Sequence, residues 1–179
     1  MKLDIRRKLP LAFASLAITT ATLTQAQDGT FAASNVIAGV RQYIYDTDGT
    51  TFLPKSNGAV QFVLNGTVLG AGTYGLFIDG IFSAGVIRVP GLAGNVVTIG
   101  VDVWDKSTGA TYAIASASGH FMPEQSVTII LGGAGGGVPA TASPLAGFIG
   151  GKLIAAPEPS TLALVALGLG GLIFLARRR

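Results

Sequence analysis

The sequence predicts an all-β body, an antiparallel β-sandwich or jelly-roll-like arrangement, over residues 27–156. Three observations lead to this fold class. Short apolar runs alternate with polar residues at period two, which is typical of half-buried strands. Turn signals such as Asp-Gly, Asn-Gly and Pro-Gly recur at roughly the 8–12-residue spacing of sandwich strands. No stretch of this region shows a convincing apolar period of about 3.6 residues.

The first half of the body is predicted to consist of strands joined by tight turns. Phe31–Tyr45 alternates along its length, with one apolar face made of Val36, Ala38, Val40 and Ile44. The Asp48-Gly49 pair then predicts a turn. Gly58–Leu64 alternates again, and Asn65-Gly66 after it is a strong signal for a two-residue hairpin. Further strands are predicted over Thr73–Ile78 and Gly80–Val89, on either side of an Asp79-Gly80 turn.

The clearest strand of the second half is Val96–Trp104. Its alternation puts Thr98 and Asp102 on the outer face and four aliphatic residues on the inner face, namely Val97, Ile99, Val101 and Val103. Three segments complete the predicted body: Thr111–Ser116 as the returning partner strand, Ser126–Leu131 as a further strand, and Leu145–Ile154 as a weak last strand.

The first 26 residues have the layout of a secretory signal peptide. A positive segment comes first, containing Lys2, Arg6, Arg7 and Lys8, and the apolar run Leu9–Leu23 follows it. Thr24-Gln25-Ala26 then supplies small residues for cleavage between Ala26 and Gln27. The alternative is a retained N-terminal anchor, but the apolar run is short for a span that needs about 20 residues.

The last 23 residues, Pro157–Arg179, form three parts in a fixed order. The stiff polar tetrapeptide comes first and consists of Pro157, Glu158, Pro159 and Ser160. Its prolines disfavour helix before Pro159, and Ser160 is a good helix cap. The uncharged apolar run 161–176 predicts a short transmembrane helix, and the chain ends in a basic tail of Arg177, Arg178 and Arg179.

This pattern resembles the PEP-CTERM sorting signal, in which a Pro-Glu-Pro motif precedes a short transmembrane helix and a basic terminus. The resemblance implies an exosortase partner in the inner membrane of a Gram-negative bacterium that makes exopolysaccharide. That enzyme is expected to cut at or near Pro157–Ser160 and to pass the protein to the cell surface or the extracellular matrix. The body, especially the segment VTIGVDVWDKSTGATY, also resembles the β-rich bodies often attached to such tails.

Charge and cysteine content exclude several classes of function. The net charge of +3 arises in the two end segments, because the body carries seven acidic and five basic residues. A body with net negative charge disfavours a nucleic-acid partner. The chain has no cysteine, so a disulfide framework, a thiolate metal site and a cysteine nucleophile are all excluded.

The residues able to perform catalysis or bind metal are few, and no cofactor is expected. His120 is the single histidine, too few for a typical zinc site, and no nucleophile-elbow motif is present. Asp46 and Asp48 resemble the start of a calcium loop, but Gly49 comes too early for the EF-hand pattern, so a turn is the favoured interpretation. A hydrolase would need two facing carboxylates, and the candidate pair is Asp102 with Asp105.

Aromatic side chains offer one binding hypothesis. Exposed rings stack on sugars, and the candidates are Tyr43, Tyr45, Trp104 and Tyr112, with Trp104 and Tyr112 foremost. Ordinary core and cross-strand packing of these rings is the favoured alternative.

The sequence as a whole therefore predicts a non-enzymatic exported protein of the cell surface or the extracellular polysaccharide matrix. Its expected partners are signal peptidase, exosortase, the inner membrane and the exopolysaccharide. A carbohydrate-binding module is the first alternative, and an extracellular hydrolase is the second.

Overall fold

The computed structural model describes residues 27–133 and 141–156. The first strands are β1 (Gly29–Ser34), β2 (Val36–Ile37), β3 (Val40–Arg41), β4 (Ile44–Tyr45), β5 (Gly58–Leu64), β6 (Thr67–Val68) and β7 (Tyr74–Gly75). They are followed by β8 (Ser83–Val89), β9 (Val96–Asp105), helix α1 (Tyr112–Ser118), β10 (His120–Ile130), β11 (Ser143–Pro144), β12 (Gly151–Lys152) and β13 (Ile154–Ala155). Within these two ranges, no helix has the length and apolar character needed to cross a membrane.

The all-β prediction is confirmed, and the strands form two larger sheets and two small ones. The largest sheet has the order β13-β10-β9-β5-β6, with β7 also paired to β5. A second sheet has the order β11-β1-β8, and the small sheets are β12-β4 and β2-β3. Most pairs are antiparallel, but β1–β11 and β4–β12 are parallel, which a purely antiparallel body would lack.

The two larger sheets contribute to one apolar core. Strand β9 supplies Ile99, Val101 and Val103, all fully buried, as their alternation predicts. The ring of Phe31 on β1 meets the ring of Phe62 on β5 edge to face, with centroids 5.6 Å apart. Burying a side chain of this size stabilises the fold by about 1.5–3 kcal/mol, so these contacts hold the two sheets together.

The predicted strand Gly58–Leu64 and the predicted hairpin turn at Asn65-Gly66 are confirmed closely. Strand β5 has the predicted bounds, and it pairs with β6 through the Asn65-Gly66 turn. Asn65 has φ of 50° and Gly66 has φ of 78°, the two positive values that a type I′ hairpin turn requires. An Asp-Gly turn also occurs at 79–80, where Ile78 bridges Ile81.

The predicted single strand Phe31–Tyr45 is wrong, because the chain reverses within it. Ala38 and Gly39 have φ of 50° and 81°, and this turn folds β2 back onto β3. Val36 and Val40 are consequently exposed instead of lying on an inner face with Ile44. Alternation alone does not reveal such a reversal, because it is the same on both sides of the turn.

The predicted returning strand Thr111–Ser116 is also wrong. This segment forms α1, and the antiparallel partner of β9 is β10, which begins six residues before the predicted Ser126. The Thr111 hydroxyl caps the helix by accepting a hydrogen bond from the Ile114 amide. Alanine-rich sequence favours helix, and Ala115 fits fully buried against the sheet.

Two smaller predictions need correction. The weak last strand Leu145–Ile154 is divided, since only β12 and β13 near its end pair with other strands. Asp102 was expected on an outer, solvated face, but it is 3% exposed, because Glu124 and α1 lie on that side of β9.

Candidate functional site

The last described residues of the chain, 151–156, form an extended segment that is hydrogen-bonded to two different parts of the body. The Gly151 and Leu153 amides donate to the carbonyl oxygens of Tyr43 and Tyr45, at 3.1 and 3.0 Å. The segment then changes partner, and Ile154 and Ala155 pair with the start of β10. The segment thus connects the β12–β4 pair to the edge of the largest sheet.

The end of this segment is fixed by side chains as well as by hydrogen bonds. Leu153 is fully buried in the main core, and Ala156 is nearly so. The Ala156 amide donates to the Gly119 carbonyl oxygen at 2.7 Å. Ala156, the last described residue, is therefore bonded to the folded body.

Helix α1 and the start of β10 form the corner beside this segment. The Tyr112 hydroxyl donates to the Met122 carbonyl oxygen at 3.0 Å, which ties the helix to β10. The Tyr112 ring meets Trp104 at 6.2 Å and Phe121 at 6.0 Å between centroids, both edge to face. Phe121 is in turn the cross-strand partner of Ile154. The corner is a small apolar cluster on the face of the sheet opposite the main core.

The exposure assumed for Trp104 as a sugar-stacking residue is wrong. Its side chain is 0% exposed, packed with Ala59 and Ala115, so neither face of the indole is open to a ligand. Tyr112 is half-buried in the same cluster, with its hydroxyl engaged by Met122. The indole Nε1 has no hydrogen-bond partner among the described residues.

Asp102 is a buried carboxyl group next to this cluster. Its Oδ2 accepts a hydrogen bond from Gln61 Nε2 at 2.8 Å, while Oδ1 has no partner among the described residues. Burial raises the pKa of Asp102, the Gln61 hydrogen bond opposes that shift, and the charge of Glu124 adds to it. Burial, together with the charge of Asp102, also raises the pKa of Tyr112 to about 12.

Asp102 and Asp105, the candidate hydrolase pair, have different surroundings. The two residues are three apart on β9, so their side chains point to opposite faces of the sheet. Asp105 Oδ1 accepts from the Ser107 amide and hydroxyl at 2.8 and 2.7 Å, and its Oδ2 lies 4.0 Å from His120 Nδ1. The structure therefore does not bring the two carboxylates together.

Three aromatic rings do cluster on the surface, at a different place. Tyr43 and Tyr45 lie on the same side of β4, and Phe52 joins them through the bridge between Tyr45 and Phe52. Phe52 stacks on Tyr43 at 4.5 Å and contacts Tyr45 at 5.3 Å between ring centroids. Arg41 Nη1 donates to the Tyr43 hydroxyl at 3.1 Å, which places a cation beside the rings. We refer to Tyr43, Tyr45 and Phe52 as the aromatic cluster.

Phe52 was absent from the aromatic candidates of the sequence, although a signal for it exists. The turn DTDGTT separates Tyr45 from Phe52, and a hairpin across that turn places the two residues opposite each other.

Asp46 and Asp48 use their carboxylates within this turn. Asp48 Oδ1 accepts from the amides of Thr50 and Thr51 at 2.9 and 2.8 Å, and its Oδ2 accepts from the Thr51 hydroxyl. These hydrogen bonds hold the pKa of Asp48 well below its usual range. The turn interpretation is confirmed, and over residues 27–133 and 141–156 no group of three or more potential metal-binding side chains is found.

The predicted sorting and cleavage residues lie mostly outside the described part of the chain. This applies to Ala26, to Pro157, Glu158, Pro159 and Ser160, to the helix 161–176 and to Arg177, Arg178 and Arg179. Gln27, the expected new N-terminus, is described, and its carbonyl oxygen accepts from the Ala93 amide at 3.0 Å.

Comparison with known proteins places a family motif directly on the end of this segment. Neither the curated proteins nor the solved structures that were searched gave a match. The family model of the PEP-CTERM protein-sorting motif matches residues 155–179, beginning within β13. The chain thus carries a PEP-CTERM protein-sorting motif, the mark of a protein exported and processed by exosortase.

Proposed function

We propose that this protein is a non-catalytic component of the cell surface or the extracellular polysaccharide matrix. Its three parts are a signal peptide over residues 1–26, a β-sandwich body over 27–156 and the sorting segment 157–179. The observation that carries the proposal is the PEP-CTERM motif at residues 155–179. Cleavage after Ala26 leaves Gln27 and Asp28 ahead of β1.

The sorting segment is suited to transient anchoring. An apolar run of about 16 residues extends roughly 24 Å as a helix, less than the hydrocarbon core of about 30 Å. The terminal arginines favour the cytoplasmic side, so Pro157–Ser160 lies at the outer face of the inner membrane. The two prolines disfavour helix in that tetrapeptide, so we expect it to be accessible to exosortase.

Mass spectrometry of the mature protein tests the proposal. In cells with a working exosortase, we expect a chain that begins at Gln27 and lacks Arg177–Arg179. The paired change Pro157→Ala and Pro159→Ala should retain the C-terminus and leave the protein in the membrane fraction. Pro54→Ala, a change in the body, is the matched control and should be processed normally. An intact C-terminus in the unaltered protein would refute the sorting proposal.

Glycan binding by the aromatic cluster is a second candidate function. Tyr43, Tyr45 and Phe52 form a continuous aromatic surface with Phe52 39% exposed, and aromatic faces pack against the C–H faces of sugar rings. Arg41 and Lys152 lie on neighbouring strands as hydrogen-bonding groups for sugar hydroxyls. This location replaces the buried Trp104 as the candidate surface.

Affinity electrophoresis through gels containing the producing organism's polysaccharide tests this second function. We expect the unaltered protein to be retarded and the double variant Tyr43→Ala and Phe52→Ala to lose most of that retardation. Val68→Ala, at an exposed apolar position on β6 in a different sheet, is the control and should behave as the unaltered protein does. Equal mobility of all three proteins with and without polysaccharide would exclude glycan binding by the aromatic cluster.

A further inference from the structure

We infer that the corner formed by α1 and β13 is a membrane-contact face, which lies on the lipid–water interface while the sorting segment is inserted. We call this surface the exit face and define it by Tyr112, Ile114, Phe121 and Ile154. The inference rests on the proposed membrane insertion of residues 161–176. It adds to that function a defined orientation of the body on the membrane and a lipid partner for one of its surfaces.

The sorting motif begins within the folded body, with no spacer before it. The motif match begins at Ala155, which is itself part of β13, and the Ala156 amide is bonded to Gly119. From Ala156 to Ser160, the first cap residue of the predicted helix, the chain extends at most about 14 Å. The headgroup region on each side of a bilayer is roughly 5–8 Å thick. The body therefore cannot stand far from the membrane.

Segment 151–156 does not readily detach from the body to provide a longer tether. It is held by amide hydrogen bonds to Tyr43, Tyr45 and Gly119 and by its pairing with β10. Detaching it would also expose Leu153, which is fully buried. Exposing a leucine side chain alone costs about 1.5–3 kcal/mol, so the attached state predominates.

The surface that the tether brings to the membrane is largely apolar. Ile154 is 39% exposed and pairs across the strands with Phe121, whose half-buried ring meets the half-buried ring of Tyr112. Ile114, on the same helix as Tyr112, is 49% exposed. From Thr111 to Met122, the ionisable side chains are Tyr112 and His120 alone. Few charges need to be desolvated when such a surface enters the interface. A tyrosine beside aliphatic residues is also a typical interfacial combination.

The Tyr112 hydroxyl fits the same location, because it already donates to the Met122 carbonyl oxygen and needs no water partner. A tyrosine is neutral at ordinary pH, and burial raises the pKa of Tyr112 further, to about 12, so the side chain adds no charge to the face. His120 is the cross-strand partner of Ala155, and Phe121 is the partner of Ile154. Because neighbouring residues of a strand point to opposite faces, the imidazole of His120 points away from the face that holds Phe121. Two exposed charges flank this region: Glu124, farther along β10, lies over Gly100, and Lys152 is two residues before Ile154.

Single-cysteine labelling tests the inference cleanly, since the chain has no native cysteine. The full chain is inserted into vesicles of phosphatidylethanolamine and phosphatidylglycerol, with an environment-sensitive fluorophore on Ile154→Cys or Ile114→Cys. Val68→Cys is the matched control, because it is 45% exposed but lies on β6, at the opposite edge of the sheet. Four strand spacings separate the two edges, about 19 Å. Leu167→Cys reports whether the sorting segment itself is inserted.

We expect labels at positions 154 and 114 to shift their emission to the blue and to be quenched by lipid-borne spin labels. The label at position 68 should instead be quenched by a water-soluble quencher, as it is in buffer without vesicles. If position 167 is in lipid while positions 154 and 114 are as accessible to water as position 68, the exit face is refuted and the sorting proposal stands. If position 167 is itself accessible to water, both are refuted.

Discussion

Asp102 sits where the alternation of β9 predicts an outward side chain, yet it is buried and has one unpaired carboxylate oxygen. Gln61 supplies its one hydrogen bond, and Glu124 brings a second negative charge to the same side of the sheet. Leaving a buried acceptor unpaired costs about 1–3 kcal/mol. The charged form of Asp102 therefore opposes folding, and the neutral form does so less.

We predict that Asp102→Asn changes the pH dependence of stability. Burial raises the folded-state pKa of Asp102, so its stabilising contribution is complete below the unfolded pKa and is lost as the pH rises through the folded pKa. Asparagine has no such loss, so the variant should gain free energy of unfolding relative to the unaltered protein as the pH rises. Urea unfolding at several pH values between about 3 and 8 measures this difference.

Asp28→Asn is the control for this prediction, because Asp28 is exposed. Its difference from the unaltered protein should not follow the trend of Asp102→Asn. Stability curves that run parallel for Asp102→Asn and the unaltered protein would contradict the prediction.

At the scale of elements, hairpins and helices differ in how far local sequence specifies them. The β5–β6 hairpin follows from Asn65-Gly66, since few residue pairs tolerate two positive φ values in succession. The Ala38-Gly39 turn has the same geometry but lacks a strong signal, because alanine rarely adopts positive φ. Helix α1 has seven residues and would not be stable alone, so its contacts with Trp104 and β10 determine its presence.

We predict that Gly66→Ala destabilises the protein by about 1 kcal/mol, because φ of 78° strains a residue with a Cβ. Gly75→Ala is the matched control. Both positions have open space around an added Cβ, but Gly75 does not have a positive φ of this kind. Thermal or urea unfolding of both variants measures the difference. Equal effects of the two changes would show that the turn conformation is not what Gly66 provides.

At the scale of the whole molecule, the body contains two apolar clusters on opposite sides of the largest sheet. The main core joins residues of both large sheets, and the small cluster under α1 contains the chain's single tryptophan. Strands β5 and β9 contribute to both clusters through Ala59 and Trp104 on one face and Val60 and Val103 on the other. Because the same strands serve both clusters, neither can be lost without disturbing the other.

We predict that the body unfolds in one cooperative transition. Far-UV circular dichroism follows the sheets, whereas the fluorescence of Trp104 follows the corner under α1. The two signals should give the same midpoint in urea, as expected when no intermediate is populated. A tryptophan transition at lower urea would contradict this, and would show that the corner holding the sorting motif opens before the core.

Sequence alone determined the sorting motif, the strand character of most of the body and the sharpest turns. These properties depend on local order along the chain: Pro157–Ser160 before an apolar run, alternation in β5 and β9, and the positive φ of Asn65-Gly66. Sequence also indicated that the net positive charge belongs to the ends and not to the body.

Tertiary structure decided which faces are covered and how the body meets its motif. Trp104 and Asp102 occupy outward positions of β9, and they are buried because α1 and β10 pack over them. Phe52 joins Tyr43 and Tyr45 only once the turn folds back. The attachment of Ala156 to Gly119 depends on residues 37 positions apart in the chain, and no local pattern encodes such a pairing. Burial arises from contacts between distant segments, and for that reason the close junction of body and sorting motif is visible only in the folded protein.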